Sequence, residues 1–502
     1  MGPRLCRLLL ALAVAWLAAA SPARAEWRRA ESPNFIVYSQ ADEHRLRQQV
    51  AQLEDYDRLL RTLTGATAPP SPNKLDVYIV RRNSQLDVVR PVSEAVGGFY
   101  TARPTGIAAL VDETGSARDN ETLFHEYAHH FMTQYFPGAY PPWYVEGFAE
   151  YMMTAQFRPD RIEYGNYSRD RAFFLGSNTL MSMSQLIGPR PERATALHMA
   201  RYYAQSWLAV HYFFSNAERR AKLVRYLAAV ARGDDSAASF ERETGMTIAQ
   251  VDSELSNYIR GRRITFHRAA RAASAPPTVT ITRLPPSADD LLLLDAAARL
   301  DLEEGRRATI LRRIRDAALV AWSDDVYAKR VRARAEALFG DGAAADVLLQ
   351  ELLADAPGDS ELLYLKGMRH LVAARAGIDS AANFRAAQQW FVRAHRADPN
   401  HFPTLYHYAE SLRNEPHYVS ENTLNILLLA RELAPQVSEI TLTAAHLMMS
   451  RGAFEDAEAL LAPLASDVHR GSMALTARAL LEAAKNRQPP GPLVFLAEEA
   501  AK

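Results

Sequence analysis

Cysteine is almost absent from this chain of 502 residues, since Cys6 is the only one. Internal disulfide bonds therefore cannot form, and the fold has to be stabilised by packing. A charge excess is absent too, because 58 basic residues balance 58 acidic ones, and no nucleic-acid partner is indicated. Apolar runs long enough to cross a bilayer are absent beyond residue 25. What is present, 48% apolar and 23% charged residues, is typical of a folded protein.

Residues 1–25 have the pattern of a secretory signal peptide. Two arginines precede an apolar run over residues 8–20, and the small-x-small cleavage pattern Ala23-Arg24-Ala25 follows it. The alternative is an uncleaved membrane anchor. Cleavage after Ala25 would also remove Cys6, so the mature chain would contain no thiol. An exported, cysteine-free chain rich in Ala and Arg favours a bacterial periplasm, without a transmembrane span in the mature chain.

The length exceeds what one compact core supports, and it predicts two or more domains. Within residues 26–265 the pattern mixes strands with helices. A long helix is predicted over about 42–64, ending at Gly65, and another begins after Asp119 or Asn120 and stops before Pro137. Residues 266–288 are rich in Ala, Ser and Pro and read as a linker with one short strand. The predicted strands are FIVYS (35–39), LDVYIV (75–80) and a hairpin of GGFYTAR (97–103) with GIAALV (106–111).

Residues 289–502 read as consecutive helix pairs. Three segments end one helix in Ala-Asp-Pro or Ala-Pro and begin another a few residues later, at Pro357, Pro399 and Pro435. These prolines are 42 and 36 residues apart, which resembles tetratricopeptide (TPR) repeats with their period of about 34 residues. A single helix pair cannot bury its apolar face alone, so such pairs stack into a solenoid. The alternative is an irregular helical bundle.

The segment LFHEYAHHFM, residues 123–132, carries a candidate metal site. Positions i and i+4 lie on one helix face, so His125 and His129 can direct two imidazoles to one point. Glu126 lies beside them, where it can take a proton from a metal-activated water. The alternative is a helix with surface or hydrogen-bonded histidines. Because the helix is apolar on most sides, titratable groups on it are expected to be paired or bound. His130 points elsewhere and has no assigned role.

A catalytic zinc needs a third protein ligand, and PPWYVEGFAEYM, residues 141–152, offers one. Glu146 lies 17 residues after His129, and an antiparallel helix pair would return it to the metal. Glu150, one turn later on the same face, can accept the second ring N–H of a ligand histidine. Gly147 is expected to lie where these two helices approach most closely. The alternative for Glu146 and Glu150 is a solvated pair of like charges, which repel at this spacing.

HEYAH followed by WYVEGFAEY resembles the gluzincin metallopeptidases, and is most similar to the aminopeptidase-N-like and peptidase-MA-like members. The resemblance implies an α+β zincin-like metallopeptidase domain over residues 26–265, ahead of the all-α helical-repeat (TPR-like) solenoid. It implies one Zn²⁺ held by His125, His129 and Glu146, with Glu126 as general base.

The same resemblance implies how a polypeptide would bind. GGFYTARPTGIAALV resembles the edge strand that aligns the substrate backbone above the metal, which makes Gly98, Phe99 and Tyr100 candidate substrate-binding residues. In the helix ARYYAQSWLAVHYF (200–213), a Tyr-x-Gln-Ser pattern makes Tyr203 the candidate oxyanion donor, ahead of Tyr202 and His211. Aromatic residues at helical spacing are otherwise ordinary core residues. The Gly-x-Met-Glu-Asn block that recognises a free amino terminus in aminopeptidase N is absent.

The sequence thus favours an exported zinc endopeptidase, a hydrolase in which metal-activated water attacks the peptide bond. The TPR-like repeats would recruit a protein partner or a polypeptide substrate, or restrict access to the cleft. Two alternatives stay open. One is a non-catalytic, metal-stabilised TPR adaptor of the cell envelope, and the other is an aminopeptidase.

Overall fold

A computed structural model describes residues 26–92, 96–113, 120–176, 180–188, 195–261, 264–271, 276–300, 303–467, 471–493 and 495. The chain is a mixed α/β protein whose C-terminal part is helical. The signal-peptide prediction for residues 1–25 lies outside the described residues. Within these ranges, helices with the length and hydropathy required to cross a membrane are not found.

A six-stranded mixed sheet organises the N-terminal half, with strand order β4-β5-β3-β2-β1-β9. Strand β3 runs parallel to β2 and to β5, and the other pairs are antiparallel. A second, antiparallel sheet has the order β6-β7-β8. The strands are β1 (Arg28–Glu31), β2 (Phe35–Ser39), β3 (Leu75–Val80), β4 (Gly98–Arg103), β5 (Gly106–Asp112), β6 (Gln156–Phe157), β7 (Arg161–Tyr164), β8 (His267–Ala270) and β9 (Thr280–Arg283).

Helices cover both faces of the large sheet, which explains why every residue of β3 is buried. Leu75, Val77 and Ile79 face one core, and Tyr78 and Val80 alternate to the other. The N-terminal helices are α1 (Glu43–Thr64), α2 (Leu86–Val89), α3 (Glu121–Tyr135), α4 (Pro142–Met152), α5 (Arg169–Gly176), α6 (Met183–Ile187), α7 (Ala196–Phe214), α8 (Ala217–Ala231), α9 (Ser236–Thr244) and α10 (Ile248–Arg260).

From residue 288 onward the described chain is a succession of helices. A π-helical turn, Ala317–Ala321, follows the second of them. The helices are α11 (Ala288–Arg299), α12 (Glu304–Asp316), α13 (Val326–Phe339), α14 (Gly342–Asp355), α15 (Ser360–Arg375), α16 (Ser380–Ala397), α17 (Phe402–Ser411), α18 (Glu421–Leu433), α19 (Ser438–Ser450), α20 (Phe454–Ser466) and α21 (Gly471–Lys485).

The strands predicted at 35–39 and 75–80 and the hairpin of β4 with β5 are confirmed. Helix α1 ends at Gly65, whose φ of 75° is the left-handed conformation that glycine adopts without strain. Pro357, Pro399 and Pro435 follow the ends of α14, α16 and α18 as expected. The TPR assignment itself stays a prediction.

Segment 266–288, predicted to be a linker with one strand, contributes two. Strand β8 completes the small sheet, and β9 adds to the edge of the large sheet beside β1. Helices α11 and α13 then pack on the face of the large sheet opposite α1 and α3. Polar contacts across the two halves include Arg299 with Asp76 at 2.9 Å and Gln436 with Gln134 at 2.8 Å. The C-terminal helices are therefore packed directly on the sheet that carries β4.

Candidate metal centre

Two packed helices bring the candidate ligands together. Helix α3 buries Phe124, Ala128 and Phe131 against the sheet core, which fixes the direction of its remaining face. Helix α4 follows after a short connection and begins with Pro142, a residue suited to the first helical turn. The two helices pack against each other. The site is thus built on rigid elements rather than on loops.

His125, His129 and Glu146 form a group that could hold a metal ion, with one ligand atom from each within 4.8 Å of the others. The two Nε2 atoms are 3.1 Å apart, and Oε2 of Glu146 is 3.7 Å from each of them. Glu146 is fully buried, whereas both histidines are partly exposed. A buried carboxylate facing two imidazoles favours a shared cation.

The dimensions of this group fit zinc. Bonds of about 2.0–2.1 Å to nitrogen and oxygen in a tetrahedral site place neighbouring donor atoms about 3.3 Å apart. The three measured separations, 3.1, 3.7 and 3.7 Å, lie close to that value. Two neutral imidazoles with one carboxylate are also a donor set that zinc enzymes use. The residues present therefore fit a zinc ion.

Glu150 approaches the ring of His125 from its Nδ1 side. Its Oε1 is 3.6 Å from Nδ1 of His125, slightly beyond hydrogen-bonding distance. Burial raises the pKa of Glu150, and a bidentate ion pair with Arg171, at 2.7 and 2.8 Å, opposes that rise. This arrangement directs Nδ1 of His125 towards an acceptor and Nε2 towards the other ligands.

Sequence reasoning missed Arg171. It lies on α5, 21 residues after Glu150, and no local pattern connects the two positions. Its guanidinium also lies 5.2 Å from the ring centre of Tyr203. Tyr203 itself contacts His125 edge-on, with the ring centres 6.3 Å apart. Arg171 thus links the carboxylate behind the ligands to the predicted oxyanion donor.

Tyr203 lies beside His125. The other two candidate oxyanion donors, Tyr202 and His211, are held in positions that do not suit this role. Tyr202 is buried in the core. His211 is held between the carbonyl oxygen of Thr265 and the hydroxyl of Tyr258, at 3.0 and 2.9 Å. Burial lowers the pKa of His211 to about 4, so this histidine is a neutral structural residue.

A cleft of about 690 Å³ opens beside the candidate ligands. On one side it is lined by Glu126 and His129 of α3 and by residues 98–103 of β4. The predicted substrate residues Gly98, Phe99 and Tyr100 therefore share one cleft with the predicted base. His130, which had no assigned role, interacts with the Tyr100 hydroxyl through Nδ1 at 3.0 Å and so connects β4 to α3.

The prediction that Gly147 lies where α3 and α4 approach most closely is wrong. The close approach occurs against α7, not against α3. A Cβ at this position would lie 2.4 Å from the carbonyl oxygen of Ser206 and 2.6 Å from Cγ2 of Val210. Gly147 lies between Glu146 and Glu150 in sequence, so α7 presses on the helix that positions both carboxylates.

Replacing Gly147 with alanine is expected to destabilise the fold by about 3 kcal/mol, because the new methyl group would overlap a backbone atom. Chemical denaturation of the purified protein measures this effect. Gly305→Ala is the matched control, since Gly305 is also helical but nothing lies within 4 Å of a Cβ there. That control should be neutral or stabilising by up to about 1 kcal/mol. Equal stability of the two variants would contradict the close approach.

Comparison of the chain with protein-family models, curated proteins and solved structures finds no match in any of the three.

Proposed function

We propose that the protein is a zinc-dependent endopeptidase that cleaves extended polypeptides. The observation that carries the proposal is the convergence of His125, His129 and Glu146, with His129 at the wall of a cleft that Glu126 also lines. Zinc bound there would supply Lewis-acid chemistry, polarising a carbonyl group and lowering the pKa of a water molecule. The predicted signal peptide leads us to propose a periplasmic location.

Glu126 would act as the general base. It follows the ligand His125 directly in α3, so its carboxylate is carried by the same rigid helix. In hydrolysis it would accept a proton from the attacking water and transfer that proton to the leaving amine nitrogen. The C–O bond forms first, the C–N bond then breaks as the amine nitrogen receives the proton, and no redox partner is needed. Such a base contributes about 10²- to 10⁴-fold to a rate.

Strand β4 would align the substrate backbone. It is the end strand of the sheet, and the N–H of Asp112 bonds to the carbonyl oxygen of Gly97 just before it. In an antiparallel pair, successive residues point their backbone N–H and C=O groups alternately towards and away from the partner strand. The backbone groups of Gly98 and Ala102 therefore point away from β5. Residues of β4 line the cleft, so an extended chain could add there as a further strand. Such recognition depends little on side chains, which favours an endopeptidase.

Tyr203 would stabilise the oxyanion of the tetrahedral intermediate. Its ring contacts His125 and lies beside Arg171, which supports a position next to the scissile carbonyl. A hydroxyl donor of this kind contributes about 10²- to 10³-fold in kcat.

Tyr203→Phe is expected to lower kcat by about 10²-fold while KM and zinc content stay close to those of the native protein. Steady-state kinetics with a fluorogenic peptide measures both constants. Tyr202→Phe is the control, because Tyr202 is buried on the same helix. An unchanged kcat in Tyr203→Phe would remove Tyr203 from the mechanism.

One experiment tests the proposed function against its alternatives. The mature protein is incubated with an unfolded protein, with a chelator, and with zinc restored after chelation. Internal cleavage that is lost and regained supports the peptidase, whereas no cleavage under any condition favours the adaptor. Comparing one peptide with a free and with an acetylated amino terminus completes the test. Cleavage of the free form alone would indicate an aminopeptidase.

A further inference from the structure

The C-terminal helices form the second wall of the cleft. Residues on this wall come from the end of α18, the connection to α19, and helices α19–α21. Gln436 bonds to Gln134 of α3 at 2.8 Å, and Glu439 pairs with Arg103 of β4 at 3.4 Å. A substrate lying along β4 would therefore contact the C-terminal helices directly. Side chains of this wall can then select what binds.

Arg431, in the last turn of α18, is an unusual member of this wall. It lines the cleft and is partly buried, and its Nε atom is buried without a hydrogen-bond partner. Among the residues that the structure describes, it forms no ion pair. Burial lowers the pKa of Arg431, and no carboxylate opposes the effect. A cation near a helix C-terminus interacts favourably with the helix dipole, but this interaction does not replace the hydration that the guanidinium has lost.

The other two arginines that line the cleft have partners. Arg103 pairs with Glu439, and the guanidinium of Arg90 stacks 4.0 Å above the ring of Phe99. The cleft thus does contain an acidic group. A lack of acidic groups therefore does not explain why Arg431 forms no ion pair within the described residues. Arg431 therefore places a partly desolvated positive charge at the wall of the space that a substrate would occupy.

Gln436 adds a second polar group to the same wall, five residues further along the chain. The residue is 1% exposed, and its Nε2 donates to Gln134. Its Oε1 atom is buried and accepts no hydrogen bond within the described part of the chain. A buried acceptor of this kind costs free energy unless a donor arrives. A peptide N–H is such a donor, and an extended polypeptide supplies one at every residue other than proline.

We infer that Arg431 binds a carboxylate group of the polypeptide held in the cleft, with Gln436 accepting from the neighbouring backbone. The inference rests on the proposed function, because it takes the cleft ligand to be a peptide. A guanidinium and a carboxylate form charge-assisted, often bidentate hydrogen bonds, which are about twice as strong as neutral ones. The carboxylate comes from an Asp or Glu side chain or from the carboxyl terminus of the substrate.

Binding to the full-length Glu126→Gln protein, loaded with zinc, tests this inference without hydrolysis. Three kinds of labelled peptide, all built on one neutral sequence, are compared by fluorescence anisotropy. The first has a free carboxyl terminus, the second is amidated, and the third is amidated with one Glu placed in turn at each position. We expect a carboxylate-bearing peptide to bind about 10- to 100-fold more tightly than the neutral one. The first peptide and the third then distinguish the two sources of the carboxylate.

Adding Arg431→Gln should remove this preference, reducing the ratio of the two Kd values to about one. Arg385→Gln is the control for net charge, since Arg385 is exposed on α16 and does not line the cleft. That control should keep the preference. Equal binding of all three peptides by the parent protein, or a preference that survives Arg431→Gln, would overturn the inference.

Two further measurements distinguish a failure of the inference about Arg431 from a failure of the proposed peptidase activity and from a purely structural role of Arg431. Hydrolysis by Arg431→Gln with Glu126 intact tests the peptidase independently, so cleavage without carboxylate preference contradicts only the inference about Arg431. Thermal unfolding then tests a purely structural role. Because a partly buried charge without an ion pair is removed, the Tm of Arg431→Gln should equal or exceed that of the native protein. A clear fall in Tm would indicate that Arg431 stabilises α18 instead.

Discussion

Glu126→Gln is expected to reduce peptide hydrolysis by about 10²- to 10⁴-fold while the fold and the zinc content remain unchanged. Glutamine keeps the size of the side chain but cannot accept the proton of the attacking water. The ligand atoms on His125, His129 and Glu146 are not altered, so metal binding should persist. Initial rates on an unfolded protein substrate, together with zinc content, measure both parts of the prediction.

A glutamate on the same helix provides the control. Glu121 lies in the first turn of α3 and does not line the cleft, so Glu121→Gln should retain the activity of the native protein. If Glu126→Gln hydrolysed the substrate at the native rate, Glu126 would not be the base. If both variants lost activity together, the cause would be disruption of α3.

His129→Ala is expected to weaken zinc binding by more than 100-fold. Removing a residue that binds the metal directly should reduce zinc affinity by more than the 10- to 100-fold that is lost when a residue supporting a ligand is removed. The native protein should gain about 4 kcal/mol of stability when free zinc is present at 1,000 times its Kd, and the variant should gain much less. Thermal unfolding with zinc and with a chelator measures the difference.

His130→Ala is the matched control for this experiment. His130 is the next residue of α3, but its ring interacts with Tyr100 and it is not one of the three ligands. Its removal should preserve the zinc-dependent rise in Tm. An equal rise in His129→Ala and the native protein would contradict the assignment of His129.

The parts of the molecule that local sequence determines were predictable. Strands β2 and β3 follow β-branched and aromatic runs, α1 ends at the glycine that its C-cap needs, and α3 ends before Pro137. The His-Glu-x-x-His spacing is also local, because a helix places i and i+4 on one face. The Nε2 atoms of His125 and His129 do approach each other.

The features that could not be predicted from the sequence depend on contacts between distant segments. Arg171 reaches Glu150 from another helix, and Gly147 faces Ser206 rather than the neighbouring α3. Likewise, β9 is only four residues long and exposed at most positions, so its pairing with β1 leaves little hydrophobic pattern. Helical periodicity in α18 predicted a helix but could not indicate that Arg431 lines a cleft beside β4. Such relations arise from tertiary packing, which a single sequence does not display.

The position of the bound metal decides whether His125, His129 and Glu146 form a zinc site. A crystal of the protein purified with zinc can be measured above and below the zinc absorption edge, which locates the ion by anomalous scattering. We expect one strong peak about 2.0–2.2 Å from the Nε2 atoms of His125 and His129 and from a carboxylate oxygen of Glu146. A fully occupied zinc ion bound elsewhere, or no peak between these three side chains in zinc-saturated crystals, would contradict this assignment.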